Sequence, residues 1–210
     1  MPIRVVSFDM EGTLIDHAYS KQIWEGDIPA LYAEAHGLTL EEARKRVLAE
    51  YSEVGEGQPE WYDVGYWWKR FGLPHYWRDL PKRRKGDCNV YPDVPNVLMR
   101  LGKHYPLIVS SNTIREFLNV QLKCIDYHFS RVFSAPTDFR SVKKAPDFYQ
   151  RVCDILEIEP TELAHVGDHA EFDYTAPKQL GVEAYHLDRS GELRGVDVVH
   201  DLNEFAERLL

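Results

Sequence analysis

The stretch "FDMEGTL" sets two carboxylates, Asp9 and Glu11, on one short turn where an apolar run breaks into glycine. Three further polar groups follow along the chain: "SSN" with Ser110, Ser111 and Asn112; the pair Lys143 and Lys144; and "VGDHAEFD", which carries Asp168 and Asp173. If brought together they would form a cluster of four acids, a lysine and a hydroxyl. Hard carboxylate oxygens of this kind suit Mg2+, and the lysine and hydroxyl are donors that a phosphoryl group needs. Each residue alone has a plainer use. Asp9 and Glu11 could be turn or capping residues, Ser111 could cap a helix over "TIREFL", Asp168 could cap a loop, and Asp173 could cap the helix that follows it. Only their joint order favours chemistry.

The elements around these residues can bring them together. Short β-rich runs at 4–8, 106–110, 131–134, 163–166 and 182–187 alternate with helical patterns at 93–103, 114–124, 146–156 and 174–180. Such alternation predicts an α/β fold with a parallel sheet wrapped by helices, and every polar group above falls at or just past the end of a strand. Residues 17–85 break the pattern. "TLEEARKRVLAEYSEV" opens on a Thr39 cap with Glu42 three residues later, and "EWYDVGYWWKRFG" ends at Gly72, as helices do. The stretch reads as an all-helical insertion hanging over the carboxyl ends of the strands, the edge where open parallel sheets bind ligands. The division expected is a Rossmann-like core at 1–16 and 86–210 and a helical cap at 17–85.

The four motifs, in this order, resemble those of the haloacid dehalogenase (HAD) superfamily, most of whose members are Mg2+-dependent phosphatases. "FDMEGTL" is similar to its D-x-D-G-T motif, "LIVSSN" to the strand closed by a hydroxyl, and "VGDHAEFD" to G-D-x4-D. The insertion resembles the family's C1-type cap. The resemblance implies Asp9 as nucleophile, Glu11 as general acid/base, and Mg2+ held by Asp9, the Glu11 backbone carbonyl and Asp168. It also implies phosphate binding by Gly12, Thr13, Ser111, Asn112 and a lysine, with Asp173 orienting the metal site from behind. Family members often carry an aromatic six residues after the lysine, and Tyr149 minus six is Lys143. The spacing therefore favours Lys143, with Lys144 in reserve. Glu11 departs from the usual second Asp. The same D-x-E-G-T occurs in enolase-phosphatases, so the departure is compatible with activity.

The expected function is hydrolysis of a small phosphorylated metabolite through an aspartyl-phosphate. The rivals are an enolase-phosphatase-like enzyme, a phosphotransferase, a metal-independent dehalogenase, whose first motif resembles D-x-Y, and a non-enzymatic phosphate-binding protein. Net charge of −9 over 210 residues disfavours nucleic acid and anionic lipid as partners. Cys88, Cys124 and Cys153 are odd in number and widely spaced, which suggests reduced thiols in a cytoplasmic, unprocessed protein. Oligomeric state is not encoded in any motif. Histidines 165 and 169 flank the fourth motif and are expected to be hydrogen-bonded rather than catalytic. In the aromatic run from Trp61 to Trp77, Trp61 with Trp68 and Trp67 with Phe71 fall on shared helical faces, so a small core is expected, with some rings left to face the cleft. Lys82, Arg83, Arg84 and Lys85 read as a solvated linker.

Overall fold

The computed structural model describes residues 2–74, 77–141 and 143–210; Tyr76 of the aromatic run lies outside them. Six strands, β1 (Val5–Phe8), β2 (Leu107–Ser111), β3 (Arg131–Ser134), β4 (Leu163–Gly167), β5 (Glu183–Leu187) and β6 (Val198–Val199), form one sheet in the order β3-β2-β1-β4-β5-β6. Every pairing is parallel. The α/β architecture expected from the alternation is present. β1, β2 and β4 are buried along their whole length, as strands covered by helices on both faces must be. β6 and the helix Leu202–Leu209 were not expected. A two-residue strand shows no periodicity, yet Val199, Leu202 and Phe205 are fully buried against the sheet.

Register delivers the polar residues. Phe8 is level with Val109 on one side and Val166 on the other. The residues that come next, Asp9, Ser110 and Gly167, therefore emerge together at one edge. The turn after β1 is held from outside by Arg189, which donates to the Thr13 carbonyl at 2.7 Å, pairs with Asp93 and lies over the Tyr91 ring.

One apolar cluster, including Phe8, Leu98 and Phe205, packs on one side of the sheet. A second, including Ile108, Phe148 and Val152, packs on the other. The helices between the first two strands build a third, around Tyr19, Val47, Trp67 and Phe71, which also takes in Phe117 and Val120 of the helix Arg115–Gln121. The helical layer thus packs on the helix Arg115–Gln121 through apolar side chains. The chain leaves and re-enters it side by side, with Asp16 N–H on the Asn89 carbonyl at 3.0 Å and Tyr91 N–H on the Leu14 carbonyl at 3.1 Å.

Within this layer the Thr39–Glu42 capping box forms at the start of Leu40–Val54. Trp67 stacks on Phe71 at 5.3 Å. Trp61 and Trp68 do not share a helical face, because Trp61 belongs to a 3-10 turn, Pro59–Tyr62, that ends before the helix Val64–Arg70 begins. Lys82 and Arg83 are exposed as expected, whereas Arg84 is not a free linker cation: its guanidinium grips both carboxylate oxygens of Asp27. No helix among the described residues is long and apolar enough to cross a membrane.

Trp67 is the largest fully buried side chain among the described residues. Trp67→Ala should destabilise the protein by about 3–5 kcal/mol, read from urea unfolding followed by circular dichroism.

Candidate active site

Asp9 stands one residue beyond β1, its side chain almost wholly buried. Its neighbour in space is Lys144, only 2% exposed, whose ammonium donates to Asp9, to Asp173 and, at 3.2 Å, to the Ser110 carbonyl. This corrects the lysine register. Lys143 instead reaches to the cavity rim, 3.7 Å from Glu56 and over the ring of Phe172. The helix Pro146–Leu156 starts with Ala145 as its cap, and the preceding turn aims the second lysine of the pair inward.

Asp173 is also more than a helix cap. His169 caps the π-helical segment Ala170–Thr175, its Nδ1 accepting the Glu171 and Phe172 N–H groups, and Asp173 lies inside that segment. Asp173 Oδ1 receives Lys144 and His165 Nε2, the latter at 2.9 Å, while Oδ2 accepts the His169 N–H at 3.1 Å. A buried polar chain continues from His165 Nδ1 to Ser7 and on to Ser110, each step 2.9 Å. Tyr149 packs on the same imidazole and donates its hydroxyl to the Phe172 carbonyl. Burial lowers the pKa of His165 and keeps it neutral. Burial alone would raise Asp173, but Lys144 and His165 hold it well below the usual carboxylate range. Lys144 loses by burial and gains more from Asp173 and Asp9, so its pKa is raised. Asp9 is pushed up, first by burial and then by Asp173 and Asp168, against the pull of Lys144.

Glu11 leans away from this cluster. Its carboxylate receives Ser20 of the helical layer and Gln121 of the helix behind β2, with the Thr113 hydroxyl at 3.5 Å. Burial raises its pKa. The glutamate's extra length is absorbed by these three donors. His17, at the entrance to the helical layer, lies 3.3 Å from Asp168 and 4.0 Å from Glu11; the Asp168 contact raises its pKa. Gly12 has φ +77°, and a Cβ there would overlap the Asp168 carboxylate. Glycine is required for both the turn and the approach.

Ser111 and Asn112 line the same cavity as Asp9, Glu11, Lys144 and Asp168. Ser111 Oγ accepts the Thr113 N–H at 3.1 Å, a local turn rather than a helix cap. The Asn112 Oδ1 and Thr13 Oγ1 atoms are buried without a partner. Gly12 and Thr13 do not line the cavity, and the Gly12 N–H is committed to the Ile15 carbonyl at 2.7 Å. Their expected direct contact with a phosphate is therefore not supported; they shape the turn behind it. The cavity measures about 730 Å³ and is roofed by the helical layer. Asp9, Asp168 and Asp173 each offer an oxygen within 4.8 Å of the others.

His165 is hydrogen-bonded and outside the cavity lining, as expected, but its place behind Asp173 and that of His17 beside Asp168 were not anticipated. His165 has the weak signal of a polar residue in the middle of a buried strand, whereas nothing in the sequence around His17 marks it.

A family model described as haloacid dehalogenase-like hydrolase matches residues 3–181. The GMP/IMP nucleotidase YrfG of Escherichia coli is 31% identical over 71 residues, 34% of this chain and 32% of that relative, so the match spans about a third of its length. The (S)-2-haloacid dehalogenase 4A of Burkholderia cepacia is 27% identical over 98% of this chain and 93% of its own. A solved HAD phosphatase structure from Thermococcus onnurineus superposes with a TM-score of 0.85 at 25% identity, covering 99% of this chain and 98% of that one.

The two lysines should separate cleanly in stability. Lys144→Met leaves Asp9 and Asp173 buried without their shared cation and should cost about 3–5 kcal/mol, whereas Lys143→Met should change stability by less than about 0.5 kcal/mol. Urea unfolding at neutral pH measures both; equal losses would contradict the register described above.

Proposed function

Because the chain belongs to the haloacid dehalogenase-like hydrolases, we propose that it hydrolyses a small phosphomonoester, with Asp9 as the attacking group. The observation that carries this reading is the Asp9 carboxylate on the floor of the cavity, oriented by the Lys144 ammonium and sharing the cavity lining with Ser111 and Asn112. Asp9 Oδ forms a bond to phosphorus as the ester P–O bond breaks, and Glu11 gives its proton to the departing alkoxide oxygen. Water then attacks the phosphorus of the aspartyl-phosphate. Glu11 takes a proton from that water, the P–O bond to Asp9 breaks, and phosphate leaves. A glutamate whose pKa is raised by burial is suited to holding that first proton. Ser111, Asn112 and the backbone N–H groups of Met10 and Glu11 are proposed to orient the phosphoryl oxygens, while the Lys144 ammonium, bound to Asp9 and Asp173, offsets their charge from behind.

The residues also fit a divalent cation. Three carboxylates lie within 4.8 Å of one another, Asp9 is destabilised as an anion by burial and by its acidic neighbours, and Gly12 leaves space for Asp168 to close in. Asp9, Asp168 and the Glu11 carbonyl would hold Mg2+, which supplies charge neutralisation to the phosphate when bound. Asp173 is proposed to position the site rather than ligate, since both its oxygens already serve Lys144, His165 and the His169 N–H. We further propose that the helices of 17–85 act as a cap over this site and that the enzyme works in the cytoplasm.

The nucleotidase relative makes nucleoside monophosphates the first substrates to try. A dehalogenase reading rests on the Burkholderia relative's full-length similarity. Glu11, where that chemistry resembles a tyrosine-bearing motif, weighs against it.

On an alkyl phosphate with Mg2+, Asp9→Asn should abolish phosphate release while the circular dichroism spectrum is retained. Chelation should stop the wild-type enzyme and Mg2+ should restore it. Full activity of Asp9→Asn would remove it as nucleophile; chloride release from a 2-chloro acid without metal, in the absence of phosphatase activity, would replace this reading with the dehalogenase. Glu11→Gln should slow turnover by roughly 10²- to 10⁴-fold. With an activated aryl phosphate, whose leaving group needs little protonation, the first step should survive better and the alkali-labile aspartyl-phosphate should accumulate. Wild-type rates for Glu11→Gln on the alkyl ester would leave Glu11 as a structural residue.

A further inference from the structure

The cavity continues well beyond Asp9, and its far wall differs sharply from its floor. That wall is built by Trp24, Leu48, Tyr51, Trp61 and Phe117. Trp24 meets Tyr51 edge to face at 5.7 Å and tilts against Phe117 at 6.1 Å, while Tyr51 and Trp61 are 6.1 Å apart. Backbone ties hold these rings in place: the Tyr51 hydroxyl donates to the Trp24 carbonyl, and Trp67 Nε1 donates to the Trp61 carbonyl, both at 3.3 Å. Trp24 and Trp61 remain half-buried, so their ring surface is left open to the cavity.

Charge points the same way. Among the described residues lining the cavity there is no arginine; the lysines are Lys21, which is exposed, and Lys144, which is committed to the acids below. Glu25 and Glu56 stand at the far rim, each already matched by a cation of the protein, Arg44 at 2.9 Å and Lys143 at 3.7 Å. Arg44 and Lys143 are thus already paired with these carboxylates and His17 with Asp168, so a second anionic group would find only the solvent-exposed Lys21, a partner worth little in water. A compact ester would leave most of the 730 Å³ to water.

Resting on the phosphatase reading above, we infer that the enzyme selects phosphomonoesters whose alcohol carries a flat aromatic or heteroaromatic ring and no second anionic group. Trp24 and Trp61 are the specificity-determining residues, offering faces and edges for the ring to stack upon. The Asp9 end recognises the phosphate, and the helical layer recognises the ring.

The test compares kcat/KM for 2-phenylethyl phosphate and inosine 5′-monophosphate with that for propyl phosphate and phosphoglycolate. The ring-bearing esters should exceed propyl phosphate by about three- to tenfold, the range expected of a ring contact, and phosphoglycolate should be the poorest. Trp24→Ala and Trp61→Ala should each shrink the ring-to-propyl ratio. Because loss of either ring can unfold the helical layer, a gain-of-function variant stands beside them: Ser52→Arg, at an exposed position on the cavity rim, should raise kcat/KM for phosphoglycolate by about tenfold through a charge-assisted contact. A preference for phosphoglycolate, or ratios untouched in folded Trp24→Ala and Trp61→Ala, would overturn the inference while phosphate release kept the phosphatase reading. If no ester were hydrolysed, binding of a phenylalkyl phosphonate to the wild-type protein, read by tryptophan fluorescence and competed by propyl phosphonate only weakly, would still support the ring site; equal competition would sink it.

Discussion

One buried ammonium ties the site to the fold. Lys144 reaches Asp9 beyond β1, the Ser110 carbonyl of β2 and Asp173 beyond β4, so three strand ends meet on a single charge. None of the partners is stable in this place alone. A lysine buried this deeply without acids would shed its proton, and two carboxylates this close without a cation would repel or protonate. The neutral His165, anchored through Ser7 and Ser110 to the strands themselves, fixes Asp173 and through it the lysine. The orientation of Asp9 is therefore a property of the whole sheet edge rather than of its own turn.

The parallel register makes that convergence possible, and the helical layer completes it from above. Glu11 lies at the junction: Gln121 holds it from the sheet side and Ser20 from the helical side. Movement of the helices away from the sheet would break the Ser20 contact while leaving that of Gln121. Proton chemistry at Glu11 would then be coupled to the seating of the layer, which grips the sheet domain through Phe117 and Val120 and is joined to it by the paired segments around Asp16 and Asn89. The same layer supplies the aromatic wall, so the parts proposed to set the reaction and those proposed to choose the substrate come from different stretches of chain.

Much of this was legible in the sequence. Alternating β-rich runs and helical patterns implied a parallel sheet, and the runs lay within a residue or two of the observed strands. Local signals were also sound where the physics is local, as at the Thr39–Glu42 capping box and the Trp67–Phe71 stack. Four polar motifs in a fixed order placed Asp9, Glu11, Ser111 and Asp168 around one cavity. These depend on chain connectivity and strand ends, which a linear sequence carries directly.

What tertiary structure decided is of another kind. Lys143 and Lys144 are chemically identical, and only the path of the turn before Pro146 sends one inward and the other toward Glu56. His17 approaches Asp168 because the first helix of the insertion folds back over the sheet, a contact across 151 residues that no spacing rule expresses. Trp61 opens onto the cavity while Trp67 is sealed in the core because a 3-10 turn interrupts the helical periodicity between them. Sequence order determined which groups reach the sheet edge. Which of two adjacent side chains points into the site, and which ring is left uncovered, was settled only by packing in three dimensions, where burial and charge pairing are shared among segments far apart in the chain.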